Sequence, residues 1–388
     1  MRKVFSKMDK PLLFVGLTFF LFGLVMVLSA SSMESYMRYG YGPYHYFYRQ
    51  AIFLALGMIL FLIIIRIPTK VYQWFSYVFM IGIIGVLIVL TVYGHISNNA
   101  QSWFKIGGIS IQPSEFAKVI SIVFLSCYYG KNRENLDKIK TLILPIIPVM
   151  IIFGLILIQP DLGTALIVGL IAFLMFFSLP MPRKLLKRFQ LFVIGIFVCV
   201  IGVYVITDGK ILKDYQKERF NFRDPCERYQ EDSGYQLCNS FIAFKNGGFT
   251  GQGIGKSTQK YLYLPESYTD FIFPIIVEEW GLWVGILLIL IYLFVIYRLY
   301  RIARRAINLQ CSLMAYGVCV YVFLHVVINL VGVMGIGPLT GVPLPFLSYG
   351  GSYVISLMIA LALAERVSIE SSNQLKKKGR GRERKKVN

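Results

Sequence analysis

Long apolar runs, broken by short polar and mostly basic connections, make up most of this chain. Several runs reach the ~20 residues that an α-helix needs to cross a bilayer, and no ten-residue alternation of the kind a membrane barrel requires is seen. The pattern predicts an all-α polytopic membrane protein with about ten transmembrane helices, at 12–31, 49–65, 71–93, 113–129, 142–158, 162–180, 188–206, 270–298, 309–337 and 348–366. One long polar loop, 207–269, interrupts them; its Phe220, Phe222, Tyr229 and Tyr235 are suited to packing on the membrane surface. Residues 94–112 are too polar to span and read as a short loop on the bilayer, with Trp103 and Phe104 at the interface. The domain plan is one transmembrane domain over 1–371 and a basic tail, 372–388, expected to be disordered.

Composition agrees with this plan. The 388 residues are 56% hydrophobic, with a mean hydropathy of +0.63, where a soluble domain is about 45–50% apolar. The net charge of +20 changes the picture more by its placement than by its size. Basic residues flank the spans rather than forming one patch, which argues against a nucleic-acid partner. They cluster at 66–70, 131–140, 183–188 and 298–305, all on the side of both termini, and the positive-inside rule makes that side the cytoplasm. Loop 207–269 is nearly balanced, with nine Lys/Arg and eight Asp/Glu, and so reads as extracytoplasmic. The first ten residues are basic, but the apolar run after them continues to about Ser31, which fits a retained first span in the plasma membrane rather than a cleaved signal.

Of six cysteines, Cys127, Cys199, Cys311 and Cys319 fall within apolar runs and read as packing residues. Cys226 and Cys238 lie in the outer loop, where a disulfide is permitted; a bonded pair and two free thiols are both open. With three histidines and no Cys/His cluster, a zinc site is not expected. His325 shares a helix face with Asn329 and reads as a packed polar contact.

Candidate chemistry concentrates in residues 244–280. Asp270 stands directly before the apolar run 271–276, and a carboxylate at the mouth of a span is costly enough to mark a function. Glu266, four residues earlier, would share its face if the helix began early. Gly247, Gly248, Gly251, Gly253 and Gly255, beside Lys256 and Lys260, read as a mobile lid over an anionic lipid head group. Glu278 and Glu279 lie deeper and are expected to be structural. Glu115 and Lys118, just after Gln112, lie three apart on one helix face. They form an ion pair, or Lys118 meets a phosphate with Glu115 orienting it, and the two readings are compatible. Asp161 is placed to cap the following helix. Ser348, in a rigid outer turn, is a candidate ligand contact.

The stretches SWFKIGGISIQPSEFAK, QPDLGTAL, GYQLCNSFIAFKNGGFTGQGIGKSTQKYLYLPESYTDFIF and GPLTGVPLPFLSYGGS together resemble the SEDS family (shape, elongation, division and sporulation), which includes FtsW, RodA and SpoVE. RFNFRDP and GYQ look more like FtsW or SpoVE than RodA. The resemblance implies a ten-span peptidoglycan polymerase of cell division or cell shape, working with a class B penicillin-binding protein. It puts the family's essential aspartate at Asp270 and carries Glu115 and Lys118 over as important polar residues. One departure is Gln101-Ser102 before Trp103, where many members have a basic pair; Lys105 is the nearest substitute. On this reading Asp270 takes the proton from the acceptor hydroxyl of lipid II as it attacks an undecaprenyl-linked glycan, with inversion to a β-1,4 bond. Gln112, Asp161, Glu266 and Ser348 join as substrate-binding candidates. Lys118, Lys256 and Lys260, with a divalent cation such as Mg²⁺ or Mn²⁺, would neutralise the lipid pyrophosphate; no organic cofactor is expected. Two alternatives are a lipid II flippase and a non-catalytic scaffold for the penicillin-binding protein.

Overall fold

The computed structural model describes residues 5–93, 95–97, 100–106, 109–206 and 224–387. Phe220 and Phe222, and with them most of the RFNFRDP segment, lie outside the described residues.

Each apolar run expected to span is helical, and short-range chemistry fixes many of the helix ends. Helix α1, Lys10–Tyr39, opens on Asp9, whose carboxylate accepts the Leu12 N–H at 3.1 Å, and closes on Gly40 in the left-handed region. Then come α2 (His45–Ile64), α3 (Tyr72–Tyr93) and α4 (Pro113–Lys131). The fifth run is divided at Pro145 into α5 (Ile139–Ile143) and α6 (Ile146–Ile158). Asp161 caps α7 (Leu162–Phe177), accepting the Thr164 N–H at 3.1 Å. Helices α8 (Arg183–Ile206) and α9 (Asp232–Gly247) flank the long loop. The rest are α10 (Ile272–Trp280), α11 (Leu282–Arg304), α12 (Leu309–Val333) and α13 (Gly351–Val387).

Seven of these stretches are long and apolar enough to cross a membrane, counting α5 and α6 as one and residues 351–373 of α13. Helix α7 is apolar but shorter. Helices α12 and α13 are the most enveloped of the seven, and together with α4 they form the centre on which α2, α3 and α11 pack. That centre holds the buried polar residues Glu115, Lys118, His325 and Asn329.

Three features depart from the sequence reading. Residues 94–112 contain a small antiparallel sheet, β1 (His95–Ser97), β2 (Ala100–Ile106) and β3 (Ile109–Ile111), with Phe104 opposite Ile111 and Lys105 opposite Ser110. The eighth run is two helices, broken at Gly281 with φ of 89°. A Cβ at Gly281 would lie 2.2 Å from the Phe249 carbonyl oxygen, so only glycine fits. Helix α13 continues to Val387, through the tail expected to be disordered.

Candidate active site

Helix α10 begins at Ile272, so Asp270 sits in the turn before it, half-buried. The backbone there is clamped at three successive carbonyls. Tyr268 O accepts the Tyr349 N–H at 2.9 Å, Thr269 O accepts the Ser348 hydroxyl at 2.5 Å, and Asp270 O accepts Asn329 Nδ2 at 2.7 Å. Each clamp is itself held. Ser348 Oγ accepts the Leu344 N–H at 2.8 Å, and Asn329 Nδ2 also donates to Val342 O at 2.8 Å. Gln50, from α2, donates to Ser348 O at 3.1 Å and accepts the Gly350 N–H at 3.3 Å. Loop 341–350 and α12 thus fix the backbone that carries the Asp270 carboxylate. Gly341 leaves room beside it: a Cβ there would stand 3.8 Å from Asp270 Oδ2.

Glu266 reaches the same place by a different route from the one expected. It lies outside the helix, with φ of 53°, so no shared helix face unites it with Asp270. The turn does so instead: the Thr269 hydroxyl stands 2.8 Å from Glu266 Oε2 and 3.0 Å from Asp270 Oδ1. One hydroxyl hydrogen cannot serve both carboxylates at once. Burial pushes the nearby Tyr268 phenol far above its usual range, so it stays protonated.

Behind the clamp lies a buried polar chain. Lys118 Nζ pairs with Glu115 Oε1 at 2.8 Å and reaches His325 Nε2 at 3.1 Å. An ammonium only donates, so Nε2 is the acceptor and Nδ1 carries the hydrogen that goes to Pro343 O at 3.2 Å. His325 is therefore a neutral bridge between the ion pair and loop 341–350. Lys118 is fully buried, near the rings of Tyr321 and Tyr353 at 5.7 and 6.0 Å. Gln112 donates to Asp161 Oδ2 at 3.0 Å while Asp161 Oδ1 caps α7, joining the starts of α4 and α7.

The glycine loop is no free lid. Gln252 and Gly253 donate their N–H groups to the carbonyls of Glu278 and Glu279, each at 2.9 Å, and the Leu282 N–H goes to Gly248 O at 3.0 Å. A Cβ at Gly251 would lie 2.4 Å from Glu279 O, so the glycines let the loop dock against the break at Gly281. Glu278 is buried beneath it and accepts from the Ser257 hydroxyl, Thr258 Oγ1 at 2.8 Å, the Gln259 N–H at 3.2 Å and Asn246 Nδ2 at 3.0 Å. Lys260 is buried as well, paired with Glu279 at 2.8 Å and 3.1 Å from Ser29 Oγ. Its ammonium, expected against a phosphate, is engaged there by Glu279 and Ser29. Lys256 is exposed. The Ser348 hydroxyl is spent on two backbone groups. Cys226 and Cys238 are joined in a disulfide that ties residue 226 to α9.

Asp270, Glu266 and Ser348 therefore come together at one turn, Glu115 and Lys118 stand behind it, and Lys260 serves the loop. Sequence reasoning missed Gln50 and gave Asn329 no task. A lone amide in an apolar run is the signal that marks both, since a buried amide must find partners.

The chain matches the family of cell cycle proteins that comprises FtsW, RodA and SpoVE, over residues 9–373. It is 38% identical to the probable peptidoglycan glycosyltransferase FtsW of Bacillus subtilis, over 97% of this chain and 95% of the relative. It is 36% identical to the protein of the same description from Coxiella burnetii, over 90% and 93%. Among solved structures it resembles a chain from a peptidoglycan synthase complex that coordinates polymerization and crosslinking, with a TM-score of 0.73 and 25% identity over 94% of this chain and 98% of that one. A mutant of the rod shape determining protein RodA from Thermus thermophilus gives 0.66 and 25%, over 93% and 97%.

Proposed function

This chain belongs to the FtsW/RodA/SpoVE family of cell cycle proteins, and from that premise we propose how its clamped carboxylate works. The chain is a peptidoglycan glycosyltransferase. Its substrates on this reading are lipid II and an undecaprenyl-linked glycan. Asp270 accepts the proton of the acceptor sugar hydroxyl while that oxygen attacks the anomeric carbon of the donor; the bond to the lipid pyrophosphate breaks and the centre inverts. The observation that carries this is the fixing of carbonyls 268, 269 and 270 by Tyr349, Ser348 and Asn329. Such a clamp holds a base in a productive geometry before substrate arrives, which is where much of an enzyme's advantage lies.

The leaving group is anionic and needs its charge balanced more than it needs a proton. A Mg²⁺ ion is commonly held by one or two carboxylates together with substrate phosphates. The two carboxylates sharing the Thr269 hydroxyl fit that requirement, though no group of three or more ligands is found among the described residues. Glu266 would hold the cation, which when bound would neutralise the pyrophosphate. The exposed Lys256 remains as a cationic contact at the loop surface. A class B penicillin-binding protein is the partner, and both termini face the cytoplasm.

The test is polymerisation of lipid II by the purified protein with its partner. Asp270→Asn keeps size and removes the base, so strand synthesis should fall by about 10²–10⁴-fold. Synthesis at the wild-type rate would overturn the assignment of Asp270 as the base.

A further inference from the structure

The end of α1, the turn after it and the start of α2 together carry six tyrosines in thirteen residues, 36–48. Helix α1 has 30 residues, so it is about 45 Å long, while a hydrocarbon core about 30 Å thick takes about 20 residues. Counted over the expected first span, 12–31, the hydrocarbon thickness is used up near Ser31, and Arg38 and Tyr39 fall about two turns beyond it.

There the rings form an ordered platform. His45 stacks on Tyr41 at 4.2 Å, and Tyr41 stacks on Tyr39 at 6.1 Å, both pairs within 16° of parallel. Tyr39 and Tyr41 are about half exposed, at 45% and 47%. Arg38, held by Glu34 at 3.0 Å, lies 5.7 Å over the Tyr39 ring. The platform is continuous with the candidate active site. Tyr39 and His45 meet the edge of Tyr46, and Tyr46 lies 4.7 Å from Tyr268, two residues before Asp270. Isolated interfacial tyrosines anchor a helix to headgroups. Parallel exposed rings flanked by an arginine offer a different chemistry. The C–H face of a pyranose stacks on such rings, and a guanidinium meets hydroxyl, carbonyl or carboxylate oxygens.

We propose that Tyr39, Tyr41 and Arg38 form a subsite for the growing glycan strand, holding sugars already joined as they leave the reacting centre. This rests on the glycosyltransferase reading. The first bond needs only two lipid-linked units at Asp270, whereas a long strand needs a place to be retained between additions. Loss of the platform should therefore shorten strands without slowing the first coupling.

Two arms test it. In lipid II polymerisation with the partner present, the double variant Tyr39→Ala/Tyr41→Ala should make the first coupling within about twofold of wild type. Losing aromatic anchors of this kind should cost about tenfold in strand retention, read as shorter products, and Tyr39→Trp/Tyr41→Trp should restore length. In the second arm, a soluble lipid-free peptidoglycan oligosaccharide is titrated against the full-length protein in nanodiscs. Wild type should bind about tenfold more tightly than the double alanine variant. Unchanged product length, or an equal fall in first coupling and length, overturns the proposal. So does equal binding, or no binding by wild type; the tyrosines are then an interfacial belt. If wild type binds the oligosaccharide yet makes no glycan, the subsite stands and the glycosyltransferase reading falls.

Discussion

At the residue scale, the proposed mechanism rests on small polar groups spent on backbone. Ser348 is one hydroxyl with two duties, donating to Thr269 O and accepting from Leu344 N–H. Ser348→Ala leaves both unpaired in a buried place, so the clamp loosens without losing the base. We expect kcat to fall about tenfold with little change in KM, because misplacing a catalytic group costs rate rather than affinity. A steady-state comparison on lipid II checks it; a raised KM at full kcat would instead make Ser348 a substrate contact. Lys118 and Glu115 pose a parallel question. Removing one member of a buried pair strands the other and costs about 3–5 kcal/mol, while replacing both by apolar residues is often neutral. Lys118→Met should therefore lower the melting temperature in detergent, and Glu115→Leu/Lys118→Met should recover it. Activity should stay low in the double variant, since the His325 bridge to Pro343 loses its donor. Recovery of activity together with stability would reduce the pair to packing.

At the element scale, the spans were legible because the bilayer demands long apolar runs, and Asp270 stands out as a candidate because a carboxylate beside one is costly. The break at Gly281 was hidden: apolar residues continue on both sides, and only a positive φ distinguishes this glycine from one buried in a straight helix. The glycine loop reads as a lid for the same reason. Gly247 and Gly251 do bring backbone close to something, but that something is the end of α10, which a sequence cannot place. Glu278 is structural in a specific way, as the common acceptor for residues 246 and 257–259. Glu278→Ala should strip that loop of its anchor. Amides 252–260 should then exchange faster with deuterium while those of α12 keep their protection, reflecting local rather than global opening. Uniform loss of protection would make Glu278 part of the global core.

At the scale of the whole molecule, the reading needs Asp270, the platform at Tyr39 and loop 207–269 to share one aqueous compartment. The proposed topology puts that compartment outside, on the ground that basic clusters fall between spans on the side expected to hold the termini while the long loop is nearly neutral. The Cys226–Cys238 bond offers an independent check, because a disulfide persists in an oxidising compartment and is rare in the cytosol. Of the six cysteines, these two alone lie in the long loop. Protein taken from cells, quenched with acid and unfolded in an alkylating reagent should therefore gain two labelled cysteines on prior reduction. A lysine-derived probe gives the sign: Lys256→Cys, exposed on the same face, should react with a membrane-impermeant maleimide in intact cells, while a cysteine placed at Asn388 should react only after lysis. Reversal of that pair would put the base on the side where lipid-linked precursors are made rather than polymerised. The clamp around Asp270 would then need a different substrate, whatever its geometry.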